Sequence, residues 1–83
     1  MKKLRVEIKV SKSEASFASH VFNWDAALRE SFDSKGDGVF HSNIEYQADG
    51  DMEAAEYLKK ATSNDLRKHG IKAFFADVVE YED

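Results

Sequence analysis

Apolar and polar residues alternate strictly over residues 3–10, with Leu4, Val6, Ile8 and Val10 on one side and Lys3, Arg5, Glu7 and Lys9 on the other. A period of two belongs to an extended chain, whose successive side chains point to opposite faces, so this segment is predicted to be a strand with one buried and one solvated face. The period then changes. Phe17, Val21, Trp24, Leu28 and Phe32 recur at steps of three and four, with Ala18, Phe22 and Ala27 widening the stripe. That spacing predicts an amphipathic helix over residues 13–32 with Trp24 in the core. Ser11-Lys12-Ser13-Glu14 matches a capping box at its start. Asn23-Trp24-Asp25 is where the helix is expected to bend or restart, because Asn and Asp side chains compete for backbone hydrogen bonds.

Ser34-Lys35-Gly36-Asp37-Gly38 has the composition of a turn. Residues 39–48 read as a second strand, with Phe40, Ile44, Tyr46 and Ala48 on one face and His41, Asn43, Glu45 and Gln47 on the other. Ser42 interrupts the apolar side and marks a bulge or tight bend. Asp49-Gly50-Asp51 is the next turn and supplies an N-cap; the helix it opens has Glu53 and Glu56 early, where the macrodipole favours acids. Thr62-Ser63-Asn64-Asp65 repeats the capping pattern, so this helix either runs through to His69 or restarts near Asn64. Gly70 follows basic residues as a C-cap. Residues 71–81 are apolar at both parities, which predicts a central strand, or one whose second face meets a partner. The order β-α-β-α-β predicts an α+β two-layer sandwich, a three-stranded sheet with two helices on one face, in a single domain spanning residues 1–83. Right-handed crossovers would make neighbouring strands parallel; a break in the first helix would reverse the second strand instead.

Composition narrows the class. The chain has 83 residues, 42% of them hydrophobic, with six Phe, three Tyr and one Trp, enough for a packed core near the lower size limit. There is no cysteine, so neither disulfides nor a thiolate metal site supports the fold, as fits a reducing cytoplasm. The alternating start is no signal peptide, and no run approaches the roughly 18 apolar residues of a membrane span. A cytoplasmic location and no membrane contact are expected. Three chemical signatures come close without matching. Asp33 to Gly38 resembles the opening of a calcium loop, but Lys35 and Ile44 occupy positions that need oxygen ligands. His20, His41 and His69 show no ligand spacing. Serines near His20 and Asp25 lack a nucleophile elbow. No catalytic, cofactor-binding or metal-ligating residue is therefore assigned, and a non-enzymatic protein is expected.

Charge is distributed in blocks that sum to −4. Lys2, Lys3, Arg5, Lys9 and Lys12 make the first strand basic, but without the interleaved aromatics of a single-strand-binding sheet, so nucleic acid is disfavoured. The bland account of that face is pairing with the acidic tail, Glu80 and Glu82. Asp33, Asp37, Asp49, Asp51, Glu53 and Glu56 fall in turns or a first helical turn and are the expected partner-binding residues. If those loops share one end of the domain, they form an acidic face for a protein partner with a basic surface. In size, acidity and lack of cysteine and catalytic motifs, the chain resembles small inhibitors encoded by phages and mobile elements, such as anti-CRISPR and anti-restriction proteins. The resemblance implies occlusion of a basic surface on a host protein, in the host cytoplasm. Two alternatives are self-association as a homodimer through Phe75, Val79 and Tyr81 of the last strand, and a small nucleic-acid-binding domain using the basic strand.

Overall fold

The strand with the clean alternation is the centre of the sheet. A computed structural model describes residues 1–82 as β1 (Lys2–Val10), α1 (Ala15–Trp24), α2 (Ala26–Ser31), β2 (Phe32–Gly36), β3 (Val39–Ser42), β4 (Tyr46–Gln47), α3 (Met52–Lys68) and β5 (Phe74–Glu82). The class is α+β, but among the described residues there are five antiparallel strands and three helices in place of the expected three and two. β1 pairs with β5 along its whole length, from Lys2 opposite Glu82 to Val10 opposite Phe74. Its other edge is shared: β3 takes the end near Val10 and β4 takes the end near Lys2, while β2 lies outside β3.

This arrangement moves the last strand to an edge, where residues 71–81 were expected at the centre. Its two apolar parities are explained separately. Phe74, Ala76 and Val78 pack on the core, while Phe75, Val79 and Tyr81 stand opposite Lys9, Arg5 and Lys3 on the other face. Ile71 precedes the strand and closes a helix end. Its N–H donates to Leu66 O (3.0 Å) and the Gly70 N–H to Arg67 O (3.0 Å), with Gly70 at φ 88°. That is a Schellman stop, completed by the buried Leu66 and Ile71 side chains. α3 runs unbroken through Thr62 and Asn64 up to it.

The expected first helix is two helices. Asp25 is extended (φ −77°, ψ 116°), ending α1 and capping α2: its Oδ1 accepts from the Ala27 and Leu28 N–H groups at 3.0 and 3.3 Å. α2 then stops at Ser31, and Phe32, expected in the helix, begins a strand that hairpins into β3. The hairpin reverses direction, so among the described residues every pairing is antiparallel and no crossover of the parallel kind forms. The capping box at Ser11 does not form. Glu14 is the N-cap residue without a side-chain cap bond, and its Oε1 instead accepts from the Lys72 and Ala73 N–H groups at 3.1 and 2.7 Å.

The break beyond Ser42 is a bulge. Glu7 stands opposite His41 but Leu4 stands opposite Tyr46, so the partner chain carries two more residues than β1 across the gap. An even insertion keeps Phe40 and Tyr46 on one face. Ser42 Oγ accepts the buried Val6 N–H at 2.9 Å, replacing the ladder carbonyl that the bulge removes.

The core lies between the even-numbered face of β1 and all three helices, and joins Val6 and Ile8 to Val21, Phe22, Leu28 and Leu66. Phe22 stacks on Phe40 (3.9 Å between centroids, 7° between planes) and meets Phe32 edge-on at 5.5 Å. Trp24 is absent from it. The kink at Asp25 ends the stripe that seemed to pass through Trp24 to Leu28, and α1 buries Ala18, Val21 and Phe22 instead. Trp24 is left 76% exposed and Phe17 50%. Among the described residues no helix is long and apolar enough to cross a membrane.

Candidate functional site

Because α1 turns Ala18, Val21 and Phe22 inward, the flank carrying Phe17, His20 and Trp24 faces out. These three, with Val21 and His69 from the end of α3, line a shallow apolar concavity. The Trp24 and His69 rings meet edge-to-face, 5.9 Å apart. Large exposed aromatics gathered on one flank are costly to hydrate and are the side chains that anchor protein interfaces. The sequence signal was present in the helical spacing of residues 17, 20 and 24, but periodicity alone does not say which side of a helix faces the sheet.

Beside the patch, three chelating groups converge. His69 Nε2 lies 3.0 Å from Asp25 Oδ2, tying the end of α3 to the α1–α2 junction. Asp65 is one turn before His69, and the ligating atoms of Asp25, Asp65 and His69 all lie within 4.8 Å of one another. The environments of the two carboxylates differ. The hydrogen bond from His69 holds Asp25 below the usual carboxylate value of 3.8, helped by Asp65 and by the Leu28 and Ala27 N–H groups, against the opposing effect of burial. Burial raises Asp65, and the neighbouring Asp25 raises it further. In sequence, His20, His41 and His69 show no ligand spacing. The four-residue step from Asp65 to His69 was legible as one helix face, but Asp25, forty-four residues away from His69, joins only through the fold.

The acids expected to form one face are divided between two ends. Asp49, Asp51, Glu53 and Glu56 lie at the β4–α3 turn and the start of α3, next to the end of β1 where Ala48 N–H donates to Lys2 O (3.1 Å). Asp37 sits in the β2–β3 turn at the opposite end, where Val10 N–H donates to Gly38 O (2.9 Å), and Asp33 is on β2 opposite His41. Nine residues of β1 at about 3.3 Å each put these ends roughly 30 Å apart. Two of the acids have structural work. Asp51 makes no side-chain cap to α3; its Oδ2 accepts the Gln47 N–H at 2.7 Å, and Glu56 pairs with Lys59 at 2.8 Å. Asp49 and Glu53 project outward, at the far end of α3 from Trp24.

The basic face of β1 is not covered by Glu80 and Glu82. The register sets Glu80 and Glu82 opposite Leu4 and Lys2, on the other side of the pleat from Lys3, Arg5 and Lys9. Lys3 instead reaches Glu45 (2.6 Å), Lys9 reaches Glu7 (3.7 Å), and the Arg5 guanidinium lies 4.6 Å from the Tyr81 ring centre. Glu7 also takes His41 Nε2 at 2.8 Å. These contacts engage the charged side chains of the strand locally. Comparison with protein-family models, with curated proteins and with solved structures gives no match.

Proposed function

We propose that this protein is a small non-enzymatic binding module that docks on a protein partner with a basic surface, anchored by Trp24. The observation that carries the reading is the 76% exposure of the chain's single tryptophan beside Phe17, in a concavity floored by Val21. A tryptophan on a helix flank is stiff and large, and it binds by leaving water, as interface anchors do. The net charge of −4 supplies the complement to a basic partner. Asp49 and Glu53 act at a distance, steering the encounter without lying in the contact. Such a module acts by occlusion, as the likeness to phage and mobile-element inhibitors implies. The test uses the intact chain as bait in lysate of its source or host cell, beside a Trp24→Ala, Phe17→Ala double variant of unchanged circular dichroism. The expected result is a partner held by the parent and lost by the variant. A partner held equally by both sinks the reading, and one lost only on charge reversal at Asp49 and Glu53 moves the contact to the acidic turn.

A second reading is favoured by the position of β5. It is an edge strand pairing only with β1 among the described residues, and it carries Phe75, 80% exposed. Antiparallel pairing of two copies about Val78 would set Phe75 against Tyr81, Asp77 against Val79 and Ala76 against Glu80. No like charges then oppose one another, so the edge is self-complementary. Light scattering decides it: a dimer that Phe75→Asp converts to monomer supports the pairing, and a monomer at high concentration removes it.

A further inference from the structure

The cluster at the base of the aromatic patch has a chemistry of its own. Asp65 in the last turn of α3 and His69 at its C-cap lie one turn apart, and the α1–α2 junction delivers Asp25 to the same point. The geometry points to a binding site for a first-row divalent metal ion of the zinc type, formed by Asp25, Asp65 and His69. Two ligands of a tetrahedral zinc, each about 2.0–2.1 Å from the ion, stand roughly 3.3 Å apart. His69 Nε2 and Asp25 Oδ2 are 3.0 Å apart, so one ion accommodates both with little movement. Asp65 completes the set within 4.8 Å, and a tetrahedral ion with three protein ligands takes water or a partner's side chain as its fourth.

Asp25 is already held in a fixed orientation. Its Oδ1 is held by the Ala27 and Leu28 N–H groups, which fix the carboxylate and leave Oδ2 facing His69. The carboxylates of Asp25 and Asp65 stand within 4.8 Å of each other, and a divalent cation held between them is neutralised by the pair. One imidazole and two carboxylates select zinc, cobalt or manganese over calcium, which takes an all-oxygen cage. A purely structural Asp25–His69 ion pair would use Asp25 and His69 alone and would be indifferent to metal.

Trp24 provides the readout, since its ring touches His69. The full chain, stripped with EDTA and desalted, is titrated with zinc chloride while tryptophan fluorescence and melting temperature are followed. A saturable one-equivalent change and a higher melting temperature are expected. Outer-shell changes alone weaken metal sites about 10–100-fold, so Asp65→Asn and His69→Ala should each weaken zinc at least about tenfold. His20→Ala, in the same concavity but outside the cluster, should bind as the parent does. Absence of any saturable change at millimolar zinc, or parental affinity in Asp65→Asn, overturns the site; so does loss of binding in His20→Ala. The zinc-induced rise in melting temperature should persist in Trp24→Ala, so failure of the partner reading leaves this one standing.

Discussion

Phe22 and Trp24 are two residues apart on α1 and have opposite fates. Phe22 is clamped between the ring of Phe40 and the edge of Phe32, whereas Trp24 lies in solvent against His69. Phe22→Ala is expected to cost about 3–5 kcal/mol, the loss of a buried aromatic plus the cavity left behind. Trp24→Ala should stay within about 0.5 kcal/mol, as exposed substitutions do. Urea unfolding of the two variants checks both. Asp65 offers a prediction of opposite sense. Its carboxyl pKa is raised in the fold, so the stability it contributes is present below the unfolded value of 3.8 and lost as pH rises through the folded value. At neutral pH the ionised group is a liability, and in EDTA Asp65→Asn should raise the melting temperature, with the gain shrinking as pH falls into the carboxylate range. Asp25 has the reverse sign: it is lowered, so its contribution is present above 3.8 and lost as pH falls through its folded value. A melting temperature that Asp65→Asn leaves unchanged at pH 7 would show that burial and the neighbouring Asp25 do not disfavour the ionised Asp65.

At the scale of elements, the junctions decide more than the elements do. The Asp25 break separates α1 from α2, the Ser42 bulge splits one strand into β3 and β4, and the β2–β3 turn adds a strand where a loop was expected. That turn depends on Gly38, which has φ 79° and whose backbone abuts β1: a Cβ there would lie 2.7 Å from Val10 O. Gly50 also has positive φ (111°) but faces open space. Gly50→Ala should therefore cost about 1–2 kcal/mol from the backbone conformation alone. Gly38→Ala should cost more, since it also strains the Val10 N–H to Gly38 O bond (2.9 Å). Equal unfolding midpoints for the two would mean that the β2–β3 turn yields freely.

Considered as a whole, the molecule separates a long-range feature from a short-range one. The acidic turn around Asp49 and Glu53 is at one end of α3, and the Trp24 patch is at the other. In the proposed docking anchored by Trp24, the two should make different kinetic contributions. Reversing Asp49, Glu53 and Glu56 should slow association with the partner, while Trp24→Ala should speed dissociation. The first effect should fade with salt, because the Debye length drops from about 10 Å at 0.1 M to about 3 Å at 1 M. Surface-plasmon rates at two ionic strengths separate them. An acidic reversal that changes only the dissociation rate would place those carboxylates inside the contact.

The buried face of β1, the Gly70 helix stop, the weak point at Asn23-Trp24-Asp25 and the irregularity at Ser42 were all legible in the sequence. Each is dictated by local physics: period-two alternation, a glycine free to take positive φ, and side chains that compete with the backbone. What lay outside local reach was the pairing. The sequence shows that residues 71–81 are apolar on both sides, but whether such a strand is central or at an edge depends on which other strands pair with it and with β1. The hairpin of β2 with β3 and the bulge into β4 fill the other side of β1 and leave β5 outermost. The helical stripe of α1 likewise admits two orientations, and packing Phe22 onto Phe40 chose the one that exposes Trp24. Only the tertiary structure could bring Asp25 to Asp65 and His69, because long-range contacts have no period in the sequence to announce them.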